Sequence, residues 1–155
     1  MEIFDRLAKQ WDDAGVARNV GASAKTIAAF ELRHHISLPA DVRRFYSRFN
    51  GTLETDTAFI AFWPLEEIDT VPEKLADYAG IPDYSKITDS LPDADDYFVF
   101  ADHSIWVYAI RLKGKHSAKA PVLWIGDGCT FATMSESFSD FWLRYMDDPD
   151  SVIAP

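Results

Sequence analysis

Five aspartates in the middle of the chain have side chains that could bind a hard metal ion. They are Asp89, Asp93, Asp95, Asp96 and Asp102. A calcium loop spaces its carboxylates at alternate positions and adds a central glycine and a closing glutamate. The spacing Asp93-x-Asp95-Asp96 has neither of these residues. We interpret the aspartates as a polar loop that leads into a strand at Tyr97, and we predict no metal and no other cofactor.

Two candidate catalytic groups lack the surroundings or the geometry that catalysis requires. Cys129 follows Asp127, and a negative charge beside a thiol opposes formation of the thiolate. His103 lies between Asp102 and Ser104, but residues adjacent in sequence rarely adopt the geometry of a catalytic triad. The chain also contains no Gly-x-Ser-x-Gly elbow and no glycine-rich phosphate loop. The sequence therefore predicts that the protein is not an enzyme.

Two adjacent histidines and one glutamate have structural interpretations. On a helix, His34 and His35 point roughly 100° apart, so they cannot share a metal ion. We expect one of them to pack at a helix end and the other to be exposed. Glu31 lies just ahead of the turn Ile36-Ser37-Leu38-Pro39. We expect its carboxylate to accept hydrogen bonds from free backbone N–H groups at the start of the next helix.

Apolar residues at helical spacing predict four helices that would position these groups. The first contains Phe4 to Trp11 and ends at Gly15, and the second runs from Ser23 to His34 or His35. The third has Pro39 at its first helical position and stops at Asn50-Gly51, and the last begins at Ser137. A further short helix is predicted around Glu73 to Tyr78.

Runs of aromatic and β-branched residues predict strands between the third helix and the last. The runs are 97–101, 105–112, 122–125 and 130–134, with 57–63 as a weaker candidate. Asp102-His103-Ser104 would form a hairpin turn between the first two. The second run is continuously apolar, which is typical of a central strand that is covered on both faces. We therefore predict an α+β fold with a mainly antiparallel central sheet flanked by about four helices, in a single domain of residues 1–155.

The overall composition restricts the class of partner. The chain has 155 residues and a net charge of −10, with 48% hydrophobic and 14% aromatic residues, a content that argues against disorder. The negative charge argues against binding to nucleic acid or to an anionic membrane, because phosphates would be repelled. The single cysteine excludes an internal disulfide. The first residues lack the pattern of a signal peptide, so we expect a soluble cytoplasmic protein.

The negative charge is concentrated in residues 53–102, which contain 13 acidic and two basic side chains. One interpretation is a docking face for a basic protein, and the other is a set of solvated loops. For the docking face, the candidate partner-binding residues are Glu54, Asp56, Glu66, Glu67, Asp69, Asp89, Asp93, Asp95 and Asp96.

Several short motifs occur in an order that resembles the SUKH superfamily. They include Ile27-x-x-Phe30-Glu31, Ile36-x-Leu38-Pro39-x-Asp41 and Phe45-Tyr46-x-x-x-Asn50-Gly51, followed by Leu65-Glu66-Glu67-Ile68 and Ser137-Phe138-x-x-Phe141. The resemblance covers about residues 24–146. Its structural motif residues here are Phe30, Glu31, Leu38, Pro39, Asn50 and Gly51.

The resemblance implies a protein-binding domain without a catalytic centre. Bacterial members of the superfamily include immunity proteins, so the resemblance implies a cytoplasmic protein that neutralises a toxin, such as a basic nuclease, by stoichiometric occlusion. Fungal members are cell-wall assembly regulators, and the alternative is a regulatory module that binds cellular partners. We expect a monomer or a weak homodimer. Charge alone favours the solvated-loop interpretation of residues 53–102, and the resemblance strengthens the docking interpretation.

Overall fold

Helices from both ends of the chain pack on one face of a six-stranded sheet in the computed structural model, which describes residues 2–155. The α-helices are α1 (Ile3–Ala14), α2 (Ala24–His34), α3 (Ala40–Arg48), α4 (Val71–Leu75), α5 (Ile87–Ser90) and α6 (Phe138–Asp147). The four longest, α1, α2, α3 and α6, are the four that the apolar periodicity predicts. The predicted short helix forms as α4, slightly earlier in the chain than expected.

The ends of three helices follow from their local sequence. Gly15 ends α1 in the left-handed conformation, with φ of 71°. The hydroxyl of Ser23 accepts a hydrogen bond from the backbone N–H of Thr26 at the start of α2. At the start of α6, the hydroxyl of Ser137 accepts one from the N–H of Asp140 at 3.0 Å. These three predicted boundaries are confirmed.

The predicted boundaries of α3 are wrong at both ends. Pro39 precedes the helix as its N-cap residue and is not its first helical residue. At the other end the chain becomes extended at Phe49, with φ of −131°, so Asn50 and Gly51 lie in a strand and do not form a helix stop. Phe49 nevertheless stays buried, because the strand continues along the same apolar core.

The strands form one small and one large antiparallel sheet. They are β1 (Arg18–Val20), β2 (Phe49–Thr52), β3 (Ala61–Phe62), β4 (Asp69–Thr70), β5 (Tyr97–His103), β6 (Trp106–Arg111), β7 (Val122–Gly126) and β8 (Thr130–Ser135). The small sheet pairs β1 with β2, and the large sheet has the order β3-β5-β6-β7-β8, with β4 also paired to β5. The α+β prediction is confirmed. Of the weaker candidate at 57–63, only Ala61–Phe62 is a strand.

The large sheet is covered on both faces. Phe98, Phe100 and Tyr108 face a core shared with α1, α2, α3 and α6. Val107 and Ala109, from the predicted central strand β6, face a second core. The second core is closed by the segment 71–97, which contains α4 and α5 and contributes Val71, Leu75, Tyr84, Ile87 and Leu91. Much of the acidic segment 53–102 therefore forms the outer layer of this second core.

Candidate functional site

Glu31 has the structural role that its position predicts. It lies on α2 at the margin of the buried face, and its Oε2 accepts a hydrogen bond from the N–H of Leu38 at 2.7 Å. The same oxygen accepts a second bond from Nη2 of Arg43 at 2.5 Å. A charge-assisted bond of this kind is stronger than a neutral one. The carboxylate therefore fixes the turn between α2 and α3, and Leu38 is buried below it.

Asn50 connects β2 to the segment after β3. Its Oδ1 accepts a hydrogen bond from the N–H of Leu65 at 2.7 Å, and its Nδ2 donates to the carboxylate of Glu66 at 3.0 Å. Gly51 has φ of 82°, and a Cβ there would lie 2.6 Å from the carbonyl oxygen of Phe62. Only glycine fits this position. The motif residues therefore hold the scaffold together.

Asp56 is not available to a partner, contrary to the sequence prediction. The residue is 5% exposed. Its Oδ1 accepts hydrogen bonds from the N–H groups of Ala58 at 2.8 Å and Ile60 at 2.9 Å, and its Oδ2 accepts one from the hydroxyl of Tyr145. A buried carboxylate with three donors stabilises a loop and does not steer a partner. Asp56 is therefore removed from the predicted docking face.

The hydroxyl of Tyr145 links Asp56 to the N-terminal helix. It accepts a hydrogen bond from Nε1 of Trp11 at 2.8 Å. Burial raises the pKa of Tyr145, and the negative charge of Asp56 raises it further. The phenol therefore stays protonated and keeps its donor. Sequence spacing could not predict this network, because Trp11, Asp56 and Tyr145 come from three distant segments; only the Asp56-Thr57-Ala58 sequence indicates a local turn.

Three more acidic candidates are neutralised by arginines. Asp69 accepts a hydrogen bond from Arg33 of α2 at 2.6 Å. Arg111 lies 3.1 Å from Asp93 and 2.9 Å from Asp96. Arg111 is the more buried partner of these two ion pairs, with 16% of its side chain exposed. These three aspartates are consequently weaker docking candidates than their number suggests.

The remaining acidic candidates are exposed. Within residues 2–155, the side chains of Glu54, Glu67, Asp89 and Asp95 have no hydrogen-bond or salt-bridge partner, and Glu66 is exposed apart from its bonds to Asn50. Glu73 and Asp77, which the sequence reasoning did not single out, are also exposed on the layer over the second core. The sequence signal for Glu73 and Asp77 is their position in the acidic segment, because neither residue belongs to a motif. These carboxylates can contribute a negative electrostatic field. Within residues 2–155, they do not converge on one point as a metal site would require.

The other chemical candidates do not assemble into a reactive centre. Cys129 is buried, and its sulfur lies 3.8 Å from the carbonyl oxygen of Asp83. The ring of His103 stacks on Trp106 with the ring centres 4.6 Å apart. Across the described part of the chain, no three His, Cys, Asp or Glu side chains converge as a metal site would require. These residues offer packing and hydrogen bonding.

The adjacent histidines behave as predicted. His34 is 7% exposed and packs against Phe98, whereas His35 is exposed and ends α2 with φ of 55°. Burial lowers the pKa of His34, although Asp69 opposes the shift.

Comparison with known proteins adds one match. The family model described as SMI1 / KNR4 family (SUKH-1) matches residues 21–144, about four fifths of the chain. No curated protein matches the chain at a significant level. No helix within residues 2–155 has the length and apolar character needed to cross a membrane. The matched region runs from just before α2 into α6, so it includes the Glu31 and Asn50 contacts and the whole large sheet.

Proposed function

Because the chain belongs to the SMI1/KNR4 family (SUKH-1), whose members are generally interaction or immunity modules, we propose that it is a cytoplasmic immunity protein. It binds a protein toxin and neutralises it by covering the surface that the toxin needs for its activity. The mechanism is stoichiometric and requires no catalysis by this chain.

The observation that supports a basic toxin is the location of the negative charge. Residues 53–102 have a net charge of −11, from 13 acidic and two basic side chains. Exposed members such as Glu67, Asp89 and Asp95 extend along this segment. An electrostatic field of one sign accelerates encounter with an oppositely charged partner. It therefore affects the association rate more than the affinity of the final complex. A nuclease that binds phosphates with a basic face fits this field.

Co-expression tests the proposal directly. The toxin candidate encoded beside this protein is expressed in a susceptible host with and without the chain. We expect the chain to restore growth and to co-purify with the toxin in a one-to-one complex. If the chain neither restores growth nor co-purifies, the proposal fails. Capture of a host protein in cells that lack the toxin would instead favour a regulatory interaction module.

A matched pair of charge reversals tests the role of the acidic segment. Asp77→Lys with Asp89→Lys changes the net charge by +4 within the segment, and Glu136→Lys with Asp150→Lys makes the same change outside it. All four residues are exposed. We expect the first pair to slow association about tenfold at low salt, with a smaller effect at high salt. An equal effect of the control pair would refute a role for this segment in particular.

A further inference from the structure

Several loops meet at one end of the large sheet. Val107 pairs with Ile125, so the β5–β6 turn at Ser104-Ile105 lies beside the β7–β8 turn at 127–129. Ala61 pairs with Asp102, which brings the loop 56–60 to the same end. We name this surface the hairpin end and define it as residues 56–60, 76–86, 102–105 and 126–131.

The segment 76–86 reaches the hairpin end through specific contacts. The N–H of Asp83 donates to Oδ1 of Asp127 at 2.7 Å, and the N–H of Gly128 donates to the carbonyl of Asp83 at 3.1 Å. The hydroxyl of Tyr84 donates to the carbonyl of Ile105 at 2.6 Å. The segment 76–86 is therefore joined to both turns at defined positions, and the loop 56–60 reaches the same end through the pairing of β3 with β5.

Exposed apolar side chains are concentrated at the hairpin end. Five of the nine large hydrophobic residues exposed within residues 2–155 lie there, although its segments make up only about one sixth of the chain. They are Phe59 (71%), Tyr78 (54%), Ile81 (88%), Ile105 (39%) and Phe131 (44%). Apolar surface that is gathered in one region, unlike scattered single residues, is typical of a protein-binding site.

The loop that carries Phe59 is held in a strained conformation. Phe59 has φ of 63°, which is unfavourable for a residue with a side chain. The buried carboxylate of Asp56 bonds the N–H groups on both sides of Phe59, and the N–H of Asp56 bonds the carbonyl of Ile60 at 2.9 Å. Strain of this kind persists where the surroundings impose it, often at binding sites. An anchor that is rigid before binding loses less entropy on association.

The charges at the hairpin end indicate the character of its partner. Its segments contain five aspartates and a single basic residue, Lys86. Asp56 is buried, but Asp77 and Asp127 are exposed. A symmetric contact between two copies would place these negative charges opposite each other. The basic residues Lys113, Lys115 and Lys119 lie in the β6–β7 connection, at the opposite end of the sheet.

We propose that the hairpin end is the surface that docks the partner, with Phe59 and Ile81 as apolar anchors and with the exposed Asp77 and Asp127 on the same surface. The occupant is a different protein whose surface has an apolar pocket bordered by lysine or arginine side chains. This inference rests on the proposed function. It assigns the residence time of the complex to the apolar anchors, whereas the exposed carboxylates of the same surface, Asp77 and Asp127, raise the association rate.

Binding kinetics with matched variants test the anchors. The probe is the protein encoded beside this chain, inactivated in its own active site, and the test variant carries Phe59→Ser with Ile81→Ser. The control variant carries Val20→Ser with Leu32→Ser, two residues that are 91% and 77% exposed away from the hairpin end. We expect the test variant to dissociate at least thirtyfold faster with an unchanged urea midpoint, and the control to differ less than threefold. A test variant within threefold of the original chain would overturn the proposal.

A second measurement examines the hairpin end without that protein. A short synthetic peptide of alternating leucine and lysine is titrated into the isotope-labelled chain, and amide NMR shifts are followed at two salt concentrations. We expect the largest shifts at residues 56–60, 78–84 and 104–105, reduced in the Phe59→Ser/Ile81→Ser variant. Shifts elsewhere, or a hairpin end occupied by a second copy of the chain, would overturn the proposal. If the peptide binds here but the neighbouring protein does not bind at all, the toxin proposal fails and the docking surface stands.

Discussion

Replacing Asp56 with alanine removes the acceptor for three buried donors. The carboxylate accepts hydrogen bonds from the N–H groups of Ala58 and Ile60, at 2.8 and 2.9 Å, and from the hydroxyl of Tyr145. Ala58 and Ile60 are 5% and 0% exposed, so water does not easily replace the lost acceptor. Each unsatisfied buried donor costs about 1–3 kcal/mol. We expect Asp56→Ala to lower the free energy of unfolding by about 3–5 kcal/mol, which is the lower part of the sum for three donors.

The pattern across related variants identifies the cause. Asp56→Asn keeps Oδ1 as the acceptor for both backbone N–H groups and changes only the bond to Tyr145, so we expect a loss of about 1–2 kcal/mol. Asp89→Ala removes an exposed carboxylate that has no partner within residues 2–155, and we expect a change below about 0.5 kcal/mol. Tyr145→Phe combined with Asp56→Ala should cost less than the sum of the two single changes, because both remove one shared bond.

Urea unfolding at neutral pH measures these differences, with the slope m compared among variants. Thermal unfolding should show a decrease in Tm of roughly 6–20 °C for Asp56→Ala in a chain of this size. A loss below about 1 kcal/mol for Asp56→Ala, or a loss equal to that of Asp89→Ala, would refute the assignment of Asp56 as the clamp of this loop.

Three further changes test the scaffold. Gly51→Ala should lower the free energy of unfolding by about 2–4 kcal/mol in urea, because φ of 82° and the close carbonyl of Phe62 both exclude a Cβ; an unaffected urea midpoint would contradict this. Since burial lowers the pKa of His34, the unfolded chain binds more protons near pH 6, and stability should fall from pH 7.5 to pH 5.5. His34→Phe should remove that part of the fall and His35→Asn should retain it, as urea midpoints at both pH values will show. Ser137→Ala should cost about 1 kcal/mol through the lost helix cap, and a thermal midpoint equal to that of the original chain would argue against the cap.

Local patterns in the sequence correctly predicted most of the architecture. The stripe from Phe4 to Trp11 and the caps at Ser23 and Ser137 led to the correct helices, because each signal acts within a few residues. The apolar run at 105–112 predicted a central strand, and β6 lies between β5 and β7 with both faces covered. The role of Glu31 was also predictable, since its partner Leu38 lies only seven residues away.

Predictions failed where a distant part of the chain decides the local conformation. Asn50-Gly51 has the composition of a helix stop, but pairing of β2 with β1 extends the chain at Phe49. The two-residue strands β3 and β4 were missed or overextended because β5, more than 25 residues later in the chain, defines them. Such short strands carry too little periodicity to be recognised alone.

For the candidate site, the sequence by itself determined the charge and its position along the chain, since both depend only on composition. The tertiary structure decided which of those charges a partner can meet. It buried Asp56 below Tyr145, paired Asp93 and Asp96 with Arg111, and left Asp95 exposed. It also gathered Phe59, Ile81 and Ile105 from three separate loops at one end of the sheet. Burial and ion pairing depend on neighbours that folding brings from distant segments, and no local pattern records them.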